Sequence, residues 1–241
     1  QDMMVGRPAI IDGGIIIPSS KGLTRIDMAT GNESWTMKLK NVAFVEPAED
    51  GKSMYAFVSL NQGKNQEVHK VSTSGTAMWA DGNKVKGTVS NFQITPKGLA
   101  IVSEVADSGK SGLGGMIAAK AQSNISFLSA STGEDLWEKA PKTKGHVQHF
   151  YVMDDGILFG IAEGGINKIS FEGQTLFKKP LNTGENIHTM ALTPQGLIYI
   201  TDEDANIINL DTGESIWNKP IKYKRAKAVA STYDAAHKRY L

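Results

Sequence analysis

One short phrase recurs through this chain and limits what it can fold into. It reads Thr212-Gly213-Glu214-Ser215-Ile216-Trp217, Thr132-Gly133-Glu134-Asp135-Leu136-Trp137 and Thr30-Gly31-Asn32-Glu33-Ser34-Trp35. Weaker copies are Ser74-Gly75-Thr76-Ala77-Met78-Trp79 and Glu172-Gly173-Gln174-Thr175-Leu176-Phe177. In all five an aromatic follows the glycine by four residues, and all four tryptophans occupy that slot. A fixed offset repeated five times asks for one local geometry five times, so the chain is an array of like units. The aromatics at 35, 79, 137, 177 and 217 are 44, 58, 40 and 40 residues apart. A period of about 40–45 residues with four strand-like segments is the spacing of a β-propeller blade.

The first unit gives the plan. Residues 8–11 form a short apolar run, Asp12-Gly13-Gly14 turns the chain, and Ile15, Ile16 and Ile17 make a β-branched strand. Residues 23–27 alternate as a third strand, Thr30-Gly31-Asn32 turns, and 34–39 form the fourth. Later units repeat this at 42–45, 54–58, 68–71 and a Trp79 strand; at 89–94, 99–102, 125–128 and a Trp137 strand; at 147–152, 157–161, 166–169 and a Phe177 strand; and at 188–192, 197–200, 207–210 and a Trp217 strand. A sixth unit begins at 228–232 and reaches only the start of its second strand at 239–241.

The expectation is a single all-β propeller domain over 1–241, with four-stranded antiparallel blades near 5–40, 41–82, 87–140, 145–180 and 186–220 and a partial blade at 226–241. Five units and a fragment would leave open strand edges, which proteins avoid. The chain is therefore expected to be part of a longer one that completes a ring of six to eight blades. A start at Gln1 rather than Met fits a processed or trimmed product. In each phrase the glycine supplies positive φ between third and fourth strands, and the aromatic fills the space between neighbouring blades.

Composition removes several function classes. With 26 Lys+Arg against 25 Asp+Glu, the net charge of +1 creates no field that would draw the chain to nucleic acid. The absence of cysteine excludes disulfides, thiolate metal sites and cysteine nucleophiles. No stretch approaches 18 apolar residues, so no spanning helix is expected, and no secretory leader pattern is present.

The pattern resembles the quinoprotein-type β-propeller repeat, in which an aliphatic-Asp pair is followed by Thr-Gly, an acidic residue and Trp. Leu210-Asp211-Thr212-Gly213-Glu214-Ser215-Ile216-Trp217 and Ile26-Asp27 to Trp35 match best. The resemblance extends over five copies and speaks to fold more than to function. It implies one of two branches: quinone-dependent dehydrogenases, or non-catalytic propellers such as the lipoprotein subunit of the outer-membrane β-barrel assembly machinery. The dehydrogenases commonly carry adjacent cysteines and a calcium site. The cysteine pair is impossible here, and no Asp/Asn/Glu spacing argues for a calcium cage. The non-catalytic branch is the expected one, with a protein partner in a membrane or envelope complex on the periplasmic or cell-surface side of a bacterial envelope. A dehydrogenase and a ligand-sensing ectodomain of a signalling protein are the alternatives.

Catalytic, cofactor and metal residues are not expected. Gly109-Lys110-Ser111 lacks the glycine a phosphate loop needs at 104, where Glu104 stands. The stretch 104–123, with Lys110, Leu113 and Met116, accounts for the 58-residue spacing and is the leading contact element, a merely disordered loop being the alternative. His146 and His149, at an odd spacing on a strand, are placed on opposite faces. No Ser-His-Asp set can be assembled from the sequence, and Asp154-Asp155 and Asp202-Glu203-Asp204 read as turns. The links leaving each fourth strand are lysine-rich, at Lys38, Lys84, Lys86, Lys142, Lys144, Lys178, Lys179, Lys219, Lys222, Lys224, Arg225 and Lys227, whereas opposite turns carry Asp12, Asp50, Asp135, Asp155 and Asp211. This predicts a charge-segregated disc whose basic face, centred on Lys142, Lys144, Lys222, Lys224, Arg225 and Lys227, docks an acidic protein surface or anionic envelope polymer. Ordinary solvated turns are the alternative.

Overall fold

The computed structural model describes residues 6–19, 21–61, 64–105, 122–137, 141, 143 and 145–223, together with the backbone of two short strands at 233–234 and 239–240. The chain divides into two compact units, Gln1–Lys142 and Thr143–Leu241. The described residues contain no α-helix.

In the first unit, sheet one comprises β1 (Ala9–Ile11), β2 (Gly14–Pro18), β3 (Leu23–Asp27) and β4 (Glu33–Met37). Sheet two comprises β5 (Val42–Pro47), β6 (Ser53–Leu60), β7 (Asn65–Ser72) and β8 (Asn83–Lys86). Sheet three comprises β9 (Thr88–Ile94), β10 (Gly98–Val105) and β11 (Gln122–Ser129). In the second unit, sheet four comprises β12 (Val147–Val152), β13 (Gly156–Ile161), β14 (Gly165–Ser170) and β15 (Leu181–Asn182). Sheet five comprises β16 (Ile187–Thr193), β17 (Gly196–Thr201), β18 (Asp204–Ile208) and β19 (Ile221–Lys222). β20 (Tyr233–Asp234) and β21 (Arg239–Tyr240) form a separate hairpin. Every strand pairs antiparallel with its sequence neighbour, the meander from which propeller blades are made.

Burial explains which runs became which strands. The second strands β6, β10 and β13 are buried on both faces, which is why Tyr55-Ala56-Phe57-Val58 and Leu99-Ala100-Ile101-Val102 are continuously apolar rather than alternating. Between sheets one and two, Ile16, Leu23, Val45, Met54 and Val71 form one core, with Trp35 and Met37 packed on it. Tyr55, Phe57, Trp79, Leu99, Ile101 and Leu128 form the next, between sheets two and three. In the second unit Leu158, Phe177, Met190, Leu197 and Ile208 do the same between sheets four and five.

The phrase departs from expectation in one respect. Only Trp35 lies inside a fourth strand. In every copy the residue two after the glycine bridges the third strand: Glu33 to Ile26, Ala77 to Val71, Asp135 to Leu128, Thr175 to Ile169 and Ser215 to Ile208. In sheets two, four and five the chain then bends at the aromatic, and the outer strand resumes only at Asn83, Leu181 and Ile221. The bend frees the aromatic from strand alternation and lets it turn into the inter-sheet space. In sheet three the described residues of the Trp137 segment contribute the Asp135 bridge, and further along the Ile125 N–H donates to Pro141 O at 3.3 Å.

The first strands of sheets two to five each carry a bulge, with Ala43, Ser90, Gln148 and His188 as the extra residues. The bulge at Gln148 interrupts the alternation that assigned His146 and His149 to opposite faces.

Candidate functional site

Each phrase folds as the same capped turn. The glycine N–H donates to the carbonyl of Asp27, Ser72, Ser129, Ser170 or Asn209, at 2.8–3.0 Å. The N–H of that same residue donates to the carbonyl just after the glycine, at 2.8–2.9 Å. Its side chain then accepts turn N–H groups: Asp27 Oδ1 from Thr30 at 2.7 Å, Ser72 Oγ from Thr76 at 3.0 Å, and Asn209 Oδ1 from Thr212 at 3.0 Å. The hydrogen bonds from Thr30 hold the Asp27 carboxyl below its ordinary range. The aspartate of the quoted pattern is thus not one structural position. Asp27 corresponds to Asn209, four residues before the glycine, and Asp211 is an exposed turn residue. A short polar residue three or four places before each glycine was the available signal.

The aromatic of one sheet closes on the glycine of the next. A Cβ on Gly75 would lie 2.7 Å from Trp35 Cδ2, one on Gly133 2.5 Å from Trp79 Cδ2, and one on Gly213 2.7 Å from Phe177 Cγ. These glycines have φ of 84°, 79° and 74°, so both backbone and contact require the missing side chain. The Trp35 indole N–H donates to Thr73 O at 2.9 Å, and that of Trp79 to Ala130 O at 3.3 Å. Trp137 is buried, with its ring centroid 6.4 Å from that of Phe127. Trp217 is half-buried.

A cation unmarked by the sequence reading shares this work. Arg25, Lys70 and Lys168 each precede the bridged residue of the third strand. Arg25 donates to Thr73 O at 2.6 Å, Lys70 to Ala130 O at 3.0 Å and Lys168 to Leu210 O at 3.1 Å. Each also reaches the first turn of its own sheet: Arg25 to Asp12 O, Lys70 to Asp50 at 3.5 Å, Lys168 to Asp155 at 2.7 Å. The lysine side chains are only 9% and 3% exposed, so without these partners the ammonium groups would be strongly destabilising. Sheets three and five put Phe127 and Ile207 at this position. Nothing in a polar residue on an alternating strand distinguishes an inward cation from an outward one.

Beside Lys70 a cleft of about 280 Å³ opens between sheets two and three, lined by Ala48, Glu49, Asp50, Tyr55, Thr95, Pro96 and Ala130. Burial, reinforced by Asp50 and Glu49, pushes the Tyr55 phenol up to about 12. A second cavity of about 310 Å³ lies where Arg7, Ala43, Phe44, Val89, Ser90 and Phe92 meet. Its floor is aromatic, with Phe44 stacked on Phe57 at 4.3 Å and on Phe92 at 5.8 Å; Arg7 pairs with Glu46 and lies over the Phe44 ring.

Sheet five gathers acidic side chains at one end. His188 pairs with Asp202, Glu185 Oε2 accepts from Thr201 Oγ1 at 3.0 Å and the Glu203 N–H at 3.1 Å, and the Tyr223 hydroxyl donates to the Thr201 and Asp204 carbonyls. Burial first, then Asp204, Asp202 and Glu185, raise the Tyr223 phenol. Among the described residues no three His, Asp or Glu are grouped so as to hold a metal ion.

Of the expected partner-binding residues, Lys222 is described: it is exposed on β19, opposite Asp204 in the strand register. Lys142, Lys144, Lys224, Arg225, Lys227, Lys110, Leu113 and Met116 lie outside the described residues. Other lysines sit differently from the expectation. Lys84 and Lys86 are on β8, and Lys178, Lys179 and Lys219 are in the bends before β15 and β19, so they mark outer sheet edges rather than links between sheets. Edge lysines oppose strand addition. Several acids of the opposite turns are internal ties: Asp50 and Asp155 as above, and Asp135, whose Oδ1 accepts the Trp137 N–H at 3.1 Å and whose carboxyl burial raises.

No family model and no curated protein matches the sequence. Among solved structures the chain is similar to the computationally designed Ika8 protein (12% identity, 95% of this chain and 78% of that one, TM-score 0.43). It is also similar to BamB from Moraxella catarrhalis (19%, 90% and 61%, 0.45) and to Kuenenia stuttgartiensis hydrazine synthase (14%, 85% and 64%, 0.46). The chain thus spans less than two thirds of the last two. Likeness at this level gives no ground for a shared activity.

Proposed function

We propose that this chain belongs to a β-propeller that binds another protein without catalysis, as a scaffold in a bacterial cell-envelope complex. One observation carries the reading. The residue just before the aromatic is a large exposed apolar side chain in three sheets: Met78, Leu136 and Ile216, each 44–49% exposed. Single exposed apolar residues are ordinary. The same slot filled the same way in separate sheets is a repeated contact element. The envelope setting rests on the resemblance of the repeat to non-catalytic quinoprotein-type propellers.

The test is photo-crosslinking from position 136 in envelope fractions of the source organism. The expected result is one dominant crosslinked protein, lost in M78E/I216E at an unchanged melting temperature. Undiminished crosslinking in that variant would overturn the proposal. So would dye-linked alcohol oxidation by the protein supplied with quinone and calcium.

A further inference from the structure

Lys70 and Lys168 occupy the same position in their sheets, yet their carboxylate partners behave differently. Asp155 stands 2.7 Å from the Lys168 ammonium. Asp50 stands 3.5 Å from that of Lys70, because Ser53 holds it: the Ser53 hydroxyl donates to Oδ2 at 2.6 Å, and the Lys52 and Ser53 N–H groups donate to Oδ1 at 2.8 Å. The residue corresponding to Ser53 in sheet four is Gly156, which has no hydroxyl. So Asp155 contacts its lysine directly, whereas Asp50, held by Ser53, pairs with Lys70 at the longer distance.

The consequence is a buried ammonium, paired to Asp50 only at 3.5 Å, in the lining of the cleft of about 280 Å³. Among the described residues it makes one hydrogen bond, to Ala130 O, beside the Asp50 ion pair, and lies 5.6 Å from the Tyr55 ring centroid. Tyr55 is 1% exposed, lines the same cleft, and its hydroxyl has no hydrogen-bond partner among the described residues. Two side chains with donor groups thus line a space large enough for a small molecule. The exposed carboxylates of Glu49 and Asp50 line the cleft as well, which disfavours a simple anion and favours a ligand that also carries a positive charge.

We propose that the cleft over Lys70 binds a small zwitterion of the α-amino acid class, its carboxylate on Lys70 and Tyr55 and its ammonium towards Glu49. The site is independent of the exposed apolar residues assigned to protein binding.

The probe is glycine, titrated into isotope-labelled protein while the amide resonances of Lys70, Thr95 and Ala130 are followed. Saturable shifts are expected with glycine, and at least tenfold weaker binding with acetate or methylammonium. K70M should abolish the shifts. S53A retains the lysine but releases Asp50 to close on it, and should weaken glycine at least tenfold; its melting curve separates this from unfolding. Unmoved resonances with glycine, equal binding of acetate, or unchanged affinity in folded S53A would each overturn the assignment.

Discussion

Trp35 closes over Gly75 so tightly that a methyl group there would sit 2.7 Å from the indole, while the indole N–H reaches Thr73 O in the same turn. Sheet one is thereby keyed to the turn of sheet two, and the same key recurs at Trp79 with Gly133 and Phe177 with Gly213.

Glycines of one motif should therefore differ in their tolerance of alanine. Gly31 and Gly133 have nearly the same φ, 72° and 79°, but nothing lies within 4 Å of a Cβ at Gly31. Denaturant unfolding should show G31A losing about 1–2 kcal/mol, the left-handed backbone cost alone. G133A should lose about 1–3 kcal/mol more from overpacking against Trp79.

Ala130 O receives both the Trp79 N–H and the Lys70 ammonium. W79F keeps the ring and leaves Lys70 on the carbonyl, as in the Phe177–Lys168 arrangement, so it should cost less than about 1.5 kcal/mol. W79A should cost about 3–5 kcal/mol. W79F combined with K70M should cost more than the sum of its parts, since the carbonyl then loses both donors; equilibrium unfolding of the four proteins measures the coupling.

Lys168 is buried and Asp155 neutralises it. D155A leaves the charge alone and should cost about 3–5 kcal/mol, whereas K168M, which removes the charge and keeps the length, should cost far less. Thermal melts of both variants compare them.

His149 Nε2 is buried without a hydrogen-bond partner among the described residues, and burial lowers the pKa of the ring. The unfolded chain takes up a proton near the ordinary histidine value of about 6.5, and the folded chain does so only at lower pH. Stability contributed here is full above that value and is lost as pH falls through it towards the folded pKa. H149Q should show a flatter loss of stability between pH 7.5 and 5.5 in urea melts.

The glycine-aromatic phrase made the units and most strands legible, because a turn that requires glycine and a large ring at fixed spacing leaves a mark in sequence. The bends at Trp79, Phe177 and Trp217 were not legible: strand alternation continues through them on paper, and only the space between sheets decides where the ring turns. Asp27 and Asn209 were not matched, because side chains of different chemistry cap the same turn and the position slides by one residue in Ser72 and Ser170. Lys70 and Lys168 carry no mark in the sequence, since their partners, Ala130 and Leu210, lie 60 and 42 residues away.

The most direct test is the double-mutant cycle between Trp79 and Gly133. If the ring and the glycine are lock and key, G133A should lose its overpacking component once Trp79 is alanine, and its cost should fall to the roughly 1–2 kcal/mol of the backbone alone. An equal cost of G133A with and without the tryptophan would contradict the account.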